Sequence, residues 1–149
     1  MITTTVTGLD KAIANFNEDM ANGLTSDILD TAKNYTLGQV MKYTPVDTGR
    51  LRASWPLNTT VTPLSVDIKS IVEYSPYVEY DTVPHWPPIK ALAGWGKRHG
   101  ISPYAIAAKI AKYGTKGKHM AEKAAKDLRD NMDNITKIAL TKWLGRFKS

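Results

Sequence analysis

The stretch TPVDTGRLRASW, Thr44 to Trp55, constrains this chain more than any other. An apolar pattern of helical spacing runs into it and stops at Pro45. Proline removes a backbone donor and disfavours helical geometry in the residue before it. Asp47, Thr48 and Gly49 then read as a tight turn. The Asp47 carboxylate is placed to accept the backbone N–H two residues on, and Gly49 takes a positive φ without steric cost. Beyond the turn a period of two fits. Leu51, Ala53, Trp55 and Leu57 fall on one face, with Arg50, Arg52 and Ser54 on the other. The stretch is therefore expected to be a helix-to-strand hinge, with Leu51 and Trp55 turned inward and two guanidinium groups outward.

On the amino-terminal side, Leu9, Ile13, Phe16, Met20, Leu24, Ile28, Ala32, Tyr35 and Val40 recur at helical spacing. They predict a helix from about Leu9 to Tyr43, broken or kinked near Gly23, with Thr25, Ser26 and Asp27 as a fresh helix start. Ile2 to Thr7 is rich in β-branched residues and reads as a short edge strand. On the carboxyl side, Asn58, Thr59 and Thr60 read as a turn. Leu64, Val66 and Ile68 alternate with Ser65, Asp67 and Lys69 as a second, half-buried strand running less regularly to Tyr74. Residues 72–89, VEYSPYVEYDTVPHWPPI, hold three tyrosines, a tryptophan and four prolines, which predicts an irregular aromatic segment. Its aromatics suit either a partner surface or a cap on the core.

The last third is helical. Ile89 to Arg98 is a short helix ended by Gly100. Ser102 and Pro103 are an N-cap and first-turn pair for a helix reaching Tyr113. Gly114 to Lys118, GTKGK, reads as a basic, flexible loop, and it lacks the spacing and the preceding strand of a Walker phosphate loop. From Met120 to the end, the stripe Ala121, Ala124, Ala125, Leu128, Met132, Ile135, Ile138, Ala139, Trp143, Leu144, Phe147 predicts one amphipathic helix about 40 Å long. At 149 residues with a 42% hydrophobic share, the expectation is a single α+β domain. A long N-terminal helix and a long C-terminal helix pack on a small antiparallel β-sheet. Its parts are 1–43 (edge strand and helix), 44–74 (turn and sheet), 75–118 (aromatic and basic loop with short helices) and 119–149 (C-terminal helix).

The charge is divided. Residues 1–87 hold 6 Lys/Arg against 10 Asp/Glu, and residues 88–149 hold 14 against 4. Pro88 to Ala121 has 7 basic residues and no acidic one. Lys90, Lys97, Arg98, Lys109, Lys112, Lys116 and Lys118 make a candidate basic surface, facing nucleic acid or an acidic protein, or simply solvated. There is no cysteine, so no disulfide or thiolate chemistry. The amino terminus lacks a signal-peptide pattern, and no run is long and apolar enough to span a membrane. His85, His99 and His119 have no metal-ligand spacing. Glu73 and Glu79 have nothing near them in sequence to split their pKa values, and no serine sits in a nucleophile motif. No catalytic residue, cofactor or metal is expected. The candidate interface is Arg50, Arg52, Tyr74, Tyr77, Glu79, Trp86 and Trp95. The two arginines are edge protection or a clamp on Glu73, Glu79 or an acidic neighbour.

The two motifs TPVDTGRLRASW and VEYSPYVEY resemble those of the neck and tail-completion proteins of tailed bacteriophages. Pro45, Val46, Asp47, Thr48, Gly49, Leu51, Arg52 and Ser54 match a P-V-D-T-G-x-L-R-x-S turn. Tyr74, Pro76, Tyr77, Val78, Glu79 and Thr82 match a Y-A-P-Y-V-E-x-G-T segment, departing from it at Ser75 and Asp81. Trp95, Arg98, Gly100 and Ile101 match a further W-x-x-R-x-G-I segment. Ala105, Ile106, Ala107, Ile110, Gly114, Thr115 and Lys116 match an A-I-A-x-x-I-x-x-x-G-T-K segment. The resemblance covers Leu9 to about Ala125. It implies a virion structural protein at the head–tail junction, assembled in the host bacterial cytoplasm. The implied form is a homo-oligomeric ring, hexameric by preference and dodecameric as the alternative. Its neighbours are connector or head-completion proteins and tail tube or terminator proteins, with DNA passing non-specifically through the lumen. The composition alone supports one competing reading, a basic nucleic-acid-binding regulator.

Overall fold

The computed structural model describes residues 9–147, with side chains from Asn17 onward apart from Asp19. The strand expected at Ile2 to Thr7 lies outside the described residues. So do the side chains of Leu9, Ile13 and Phe16. The element order is α1 (Leu9–Tyr43), α2 (Arg50–Leu57), β1 (Thr59–Val61), β2 (Val66–Ile68), α3 (Ser75–Glu79), α4 (Ile89–His99), α5 (Pro103–Tyr113), α6 (Met120–Asp130) and α7 (Met132–Gly145). The described chain is mostly helical, with a small antiparallel sheet.

Helix α1 is the spine. Its 35 residues span about 52 Å, and α2, β2, α6 and α7 all pack along it. The expected break near Gly23 is absent. Thr25 is not part of a new helix start, because its hydroxyl donates back to the Ala21 carbonyl at 2.8 Å. Thr31 and Thr36 bond to Asp27 and Ala32 in the same way, which is how a helix accommodates threonines in its interior. Gly23 serves packing: a Cβ there would meet the Trp143 indole nitrogen at 3.2 Å. A glycine that looks like a breaker in sequence is the groove that admits a tryptophan from α7.

Helix α1 ends as expected. Thr44 is buried, its hydroxyl donating to the Val40 carbonyl at 2.6 Å and accepting the Trp55 indole N–H at 2.9 Å. Pro45 then stops the helix. Gly49 takes φ +79°, the left-handed conformation the sequence demanded. The strand expected after it is instead a helix. Leu51, Ser54 and Trp55 are buried while Ala53 and Leu57 are exposed, which is spacing i, i+3, i+4 rather than alternation. Leu51 and Trp55 satisfy both periods, so the composition decides. Residues 50–57 contain no β-branched residue, while Arg, Leu and Ala are good helix formers.

The sheet is consequently displaced. Thr59 and Thr60, expected in a turn, lie in β1, which pairs with β2 in the register Thr59↔Ile68, Thr60↔Asp67, Val61↔Val66. The turn between them is Thr62 to Ser65, where the Thr62 hydroxyl accepts the Ser65 N–H at 2.9 Å. The alternation around Asp67 holds, with Val66 and Ile68 half-buried and Asp67 exposed.

The C-terminal helix is two helices. Asn131 separates α6 from α7 at φ −110°, ψ 8°. Its side-chain amide donates to the Asp127 carbonyl at 2.9 Å, a local alternative to the helical ladder. The core gathers Val40, Leu51, Trp55, Val72, Met120 and Ala124, and Ile135, Ala139 and Trp143 continue the buried row along α7. Of the rest of the expected stripe, Ala125 and Leu128 are half-buried and Met132, Ile138, Leu144 and Phe147 are exposed. Helices α4 and α5 pack on each other and are joined through Gly100.

Candidate interaction surfaces

Three polar constructions tie the irregular segments to the helices. At the first, the Asp47 carboxylate does not serve its own turn. The Arg98 guanidinium forks onto it, Nε donating to both oxygens at 2.9 and 3.1 Å and a terminal nitrogen adding a third contact. His99 Nε2 lies 3.4 Å from the same carboxylate, and its ring stacks on Trp95 with centroids 4.1 Å apart. The Arg98 hydrogen bonds hold the Asp47 carboxyl below its ordinary value, with His99 adding in the same sense, and Asp47 raises Arg98 in turn. Arg98 therefore leaves the free basic surface and fixes α4 to the 44–49 turn. This ion pair is not the clamp expected of Arg50 and Arg52 and shares no residue with it.

The second construction removes Glu79 from the candidate interface. The segment expected to be irregular throughout contains the short helix α3, with Pro76 in its first turn, where the missing N–H costs nothing. It delivers Glu79, 8% exposed, to the start of α6. There the carboxylate accepts the backbone N–H of Met120 at 2.8 Å, of Ala121 at 3.1 Å and of Glu122 at 3.3 Å. Helix amino termini carry unpaired donors and a positive dipole end, and a carboxylate satisfies both. Arg50 and Arg52 consequently have no clamp on Glu79. Both are exposed, and two residues apart on a helix they diverge instead of sitting side by side.

The third construction organises Gly114 to Lys118, which is pinned rather than flexible. Thr82 and Thr115 form an antiparallel bridge, their backbone N–H groups bonding reciprocally at 2.9 and 3.3 Å and their hydroxyls meeting at 2.8 Å. Gly114 has φ +67°, and a Cβ on it would collide with the Thr82 carbonyl. Gly117 N–H donates to Asp81 at 2.6 Å, and Lys118 N–H to the Val78 carbonyl at 2.7 Å. These amides are engaged within the chain and do not cradle a phosphate. Asp81, where the resembled motif has glycine, keeps a negative φ and works through its carboxylate. His119 holds φ 51°, with Nδ1 3.0 Å from Glu122.

Asp27 gives no warning in the sequence. It is 2% exposed on α1, with Oδ1 2.6 Å from Arg146 and 3.0 Å from Lys142 of α7. Its expected place in a helix start does not foretell burial against α7.

What remains outside is apolar and basic. Tyr74, Tyr77, Trp86 and Trp95 are all exposed, Tyr77 by 64% and Trp86 by 59%. They are spread over α3 and its N-cap, the 81–88 segment and α4. Lys90, Lys97, Lys109, Lys112, Lys116 and Lys118 are exposed on α4, α5 and the following loop. Between α4, α5 and residues 114–116 lies a groove of about 750 Å³, walled by Trp95, Ile101, Ile106, Ile110 and Tyr113, with Lys109 and Lys116 also lining it. Among the described residues no group of three His, Asp or Glu side chains is placed to hold a metal ion, and no helix is long and apolar enough to cross a membrane. Comparison with known protein families, with curated proteins and with solved structures finds no match to this chain.

Proposed function

We propose that this chain is a structural subunit of the head–tail junction of a tailed bacteriophage, acting as a neck or tail-completion protein. The observation that carries the reading is the motif pair, Pro45–Ser54 and Tyr74–Thr82. Two properties of the molecule support it. Many large apolar side chains are exposed, Leu57 and Leu64 each by more than four-fifths, which suits a chain that packs against partners. Six exposed lysines of the 88–121 block lie on α4, α5 and the loop after α5, suited to an acidic ring or to the phosphates of DNA in transit. The subunit is a member of a closed ring, six copies by preference and twelve as the alternative, between the connector or head-completion side and the tail tube or terminator side. It acts by binding and carries out no chemistry.

The test is genetic. In a phage carrying this gene, its deletion leaves filled heads and free tails, and added purified protein restores joined particles. Normal particles from the deletion refute the reading. The lysine cluster also favours a second reading, a nucleic-acid-binding regulator. Sequence-selective shifts of short duplexes at physiological salt are its signature.

A further inference from the structure

The β1–β2 hairpin and the α4–α5 groove are two unfinished surfaces of opposite shape. Among the described residues the hairpin has two strands only, and such a ribbon is marginal in water without cover. One face reaches the core through Ile68. The tip and the flanks do not: Leu64 is 85% exposed at the turn and Ile71 75% exposed after β2. Asp67 and Glu73, both exposed, stand beside these apolar residues without an ion pair among the described residues. The groove is the converse, a concave site floored by Ile106 and Ile110 whose lysines, Lys109 and Lys116, likewise lack an acidic partner. The two surfaces belong to different parts of the chain, the hairpin packing on α1 and the groove lying within the α4–α5 pair. The wider charge division, −4 over residues 1–87 and +10 over residues 88–149, has the same polarity.

We propose that the hairpin tip of one copy, led by Leu64, seats in the α4–α5 groove of the next copy, with Asp67 and Glu73 facing Lys109 and Lys116. The contact joins two different patches, so it is head-to-tail, and repetition of one such contact generates a ring when the rotation closes. Closure at a fixed number rests on the junction reading. The pairwise contact rests on the two surfaces alone. Burying Leu64 and the groove isoleucines supplies the attraction, and the opposed charges set orientation and reject a tip-to-tip pairing.

The chain lacks cysteine, so cysteines introduced singly report the contact directly. Leu64→Cys and Ile110→Cys proteins, each first shown to melt cooperatively, are mixed at millimolar concentration and oxidised gently. The expected result is a mixed disulfide in at least ~10-fold excess over the product of Leu64→Cys with Ser26→Cys, a control on the exposed side of α1, because ~1.4 kcal/mol of contact preference gives that ratio. The excess falls as salt rises. The double variant Leu64→Cys/Ile110→Cys gives a ladder of linked oligomers. Equal yields with the control, or a dominant Leu64–Leu64 dimer, overturn the interface. Those results leave the head–tail reading standing, since that depends on the deletion phenotype. Conversely, a strong mixed disulfide from a gene whose deletion spares joining keeps the interface and removes the function.

Discussion

Glu79 makes the sharpest single-residue prediction. Its carboxylate holds three consecutive N–H groups at the start of α6, and the Met120 amide among them is buried. Replacing an ordinary N-cap side chain by alanine costs about 0.5–2 kcal/mol, and a hydrogen bond to a charged group contributes about 1.5–3 kcal/mol. A pocket of about 210 Å³ beside the carboxylate, lined by Ser70 and Tyr80, lets water reach the freed amides and holds the total down. Glu79→Ala is therefore expected to cost about 3 kcal/mol. For a chain of this length each kcal/mol lowers the melting temperature by about 2–4 °C, so the fall is about 6–12 °C. Glu79→Gln keeps one acceptor oxygen but loses the charge at the positive helix end, and costs about half as much. The assay is thermal and urea unfolding of the three proteins, with hydrogen exchange at Met120, Ala121 and Glu122 as the local readout. If Glu79→Ala melts within a degree of the parent, and those amides exchange no faster, Glu79 does not cap α6.

The remaining predictions test other parts. Gly49→Val, at φ +79° with open space around the new Cβ, costs about 2 kcal/mol from backbone strain alone. Gly114→Ala, strained and colliding with the Thr82 carbonyl, costs more, and urea titration ranks the two. Asp47 has its pKa depressed by the Arg98 hydrogen bonds, so its stabilisation is present above its ordinary value of 3.8 and is lost as pH falls through the lower folded value. The stability gap between parent and Asp47→Asn, measured by acid titration, should close over that range. Tyr43 is shifted the other way, raised by its hydrogen bond to Asp127. The advantage of parent over Tyr43→Phe should persist below pH 10 and vanish as pH rises through the folded value. Arg52→Lys, at an exposed position, leaves the melting curve within about 0.5 kcal/mol; impaired head–tail joining by that folded variant marks Arg52 as an interface residue, and normal joining removes it.

The sequence by itself determined the features governed by neighbouring residues. Helix α1 stops at Pro45 and Gly49 turns left-handed because those two residues restrict their own backbone. Helices α4 and α5 begin and end where Pro103 and Gly100 put them, and the charge divides near Pro88. Tertiary structure alone decided the rest. Leu51 and Trp55 fit a strand or a helix equally by spacing; the helix formers around them favour a helix, but only the fold shows that they meet Thr44, Val40 and Met120 in one core. Gly23 reads locally as a helix breaker until Trp143, 120 residues later, is packed against it. Glu79 looks like a surface carboxylate until the fold brings it to the α6 amides 41 to 43 residues on. Asp27 and Arg146 are 119 residues apart, and Asp47 and Arg98 are 51 apart. A carboxylate's partner is whichever donor the folded chain carries to it. Local periodicity cannot specify that, because hydrogen bonds and packing act through space with no regard to distance along the chain.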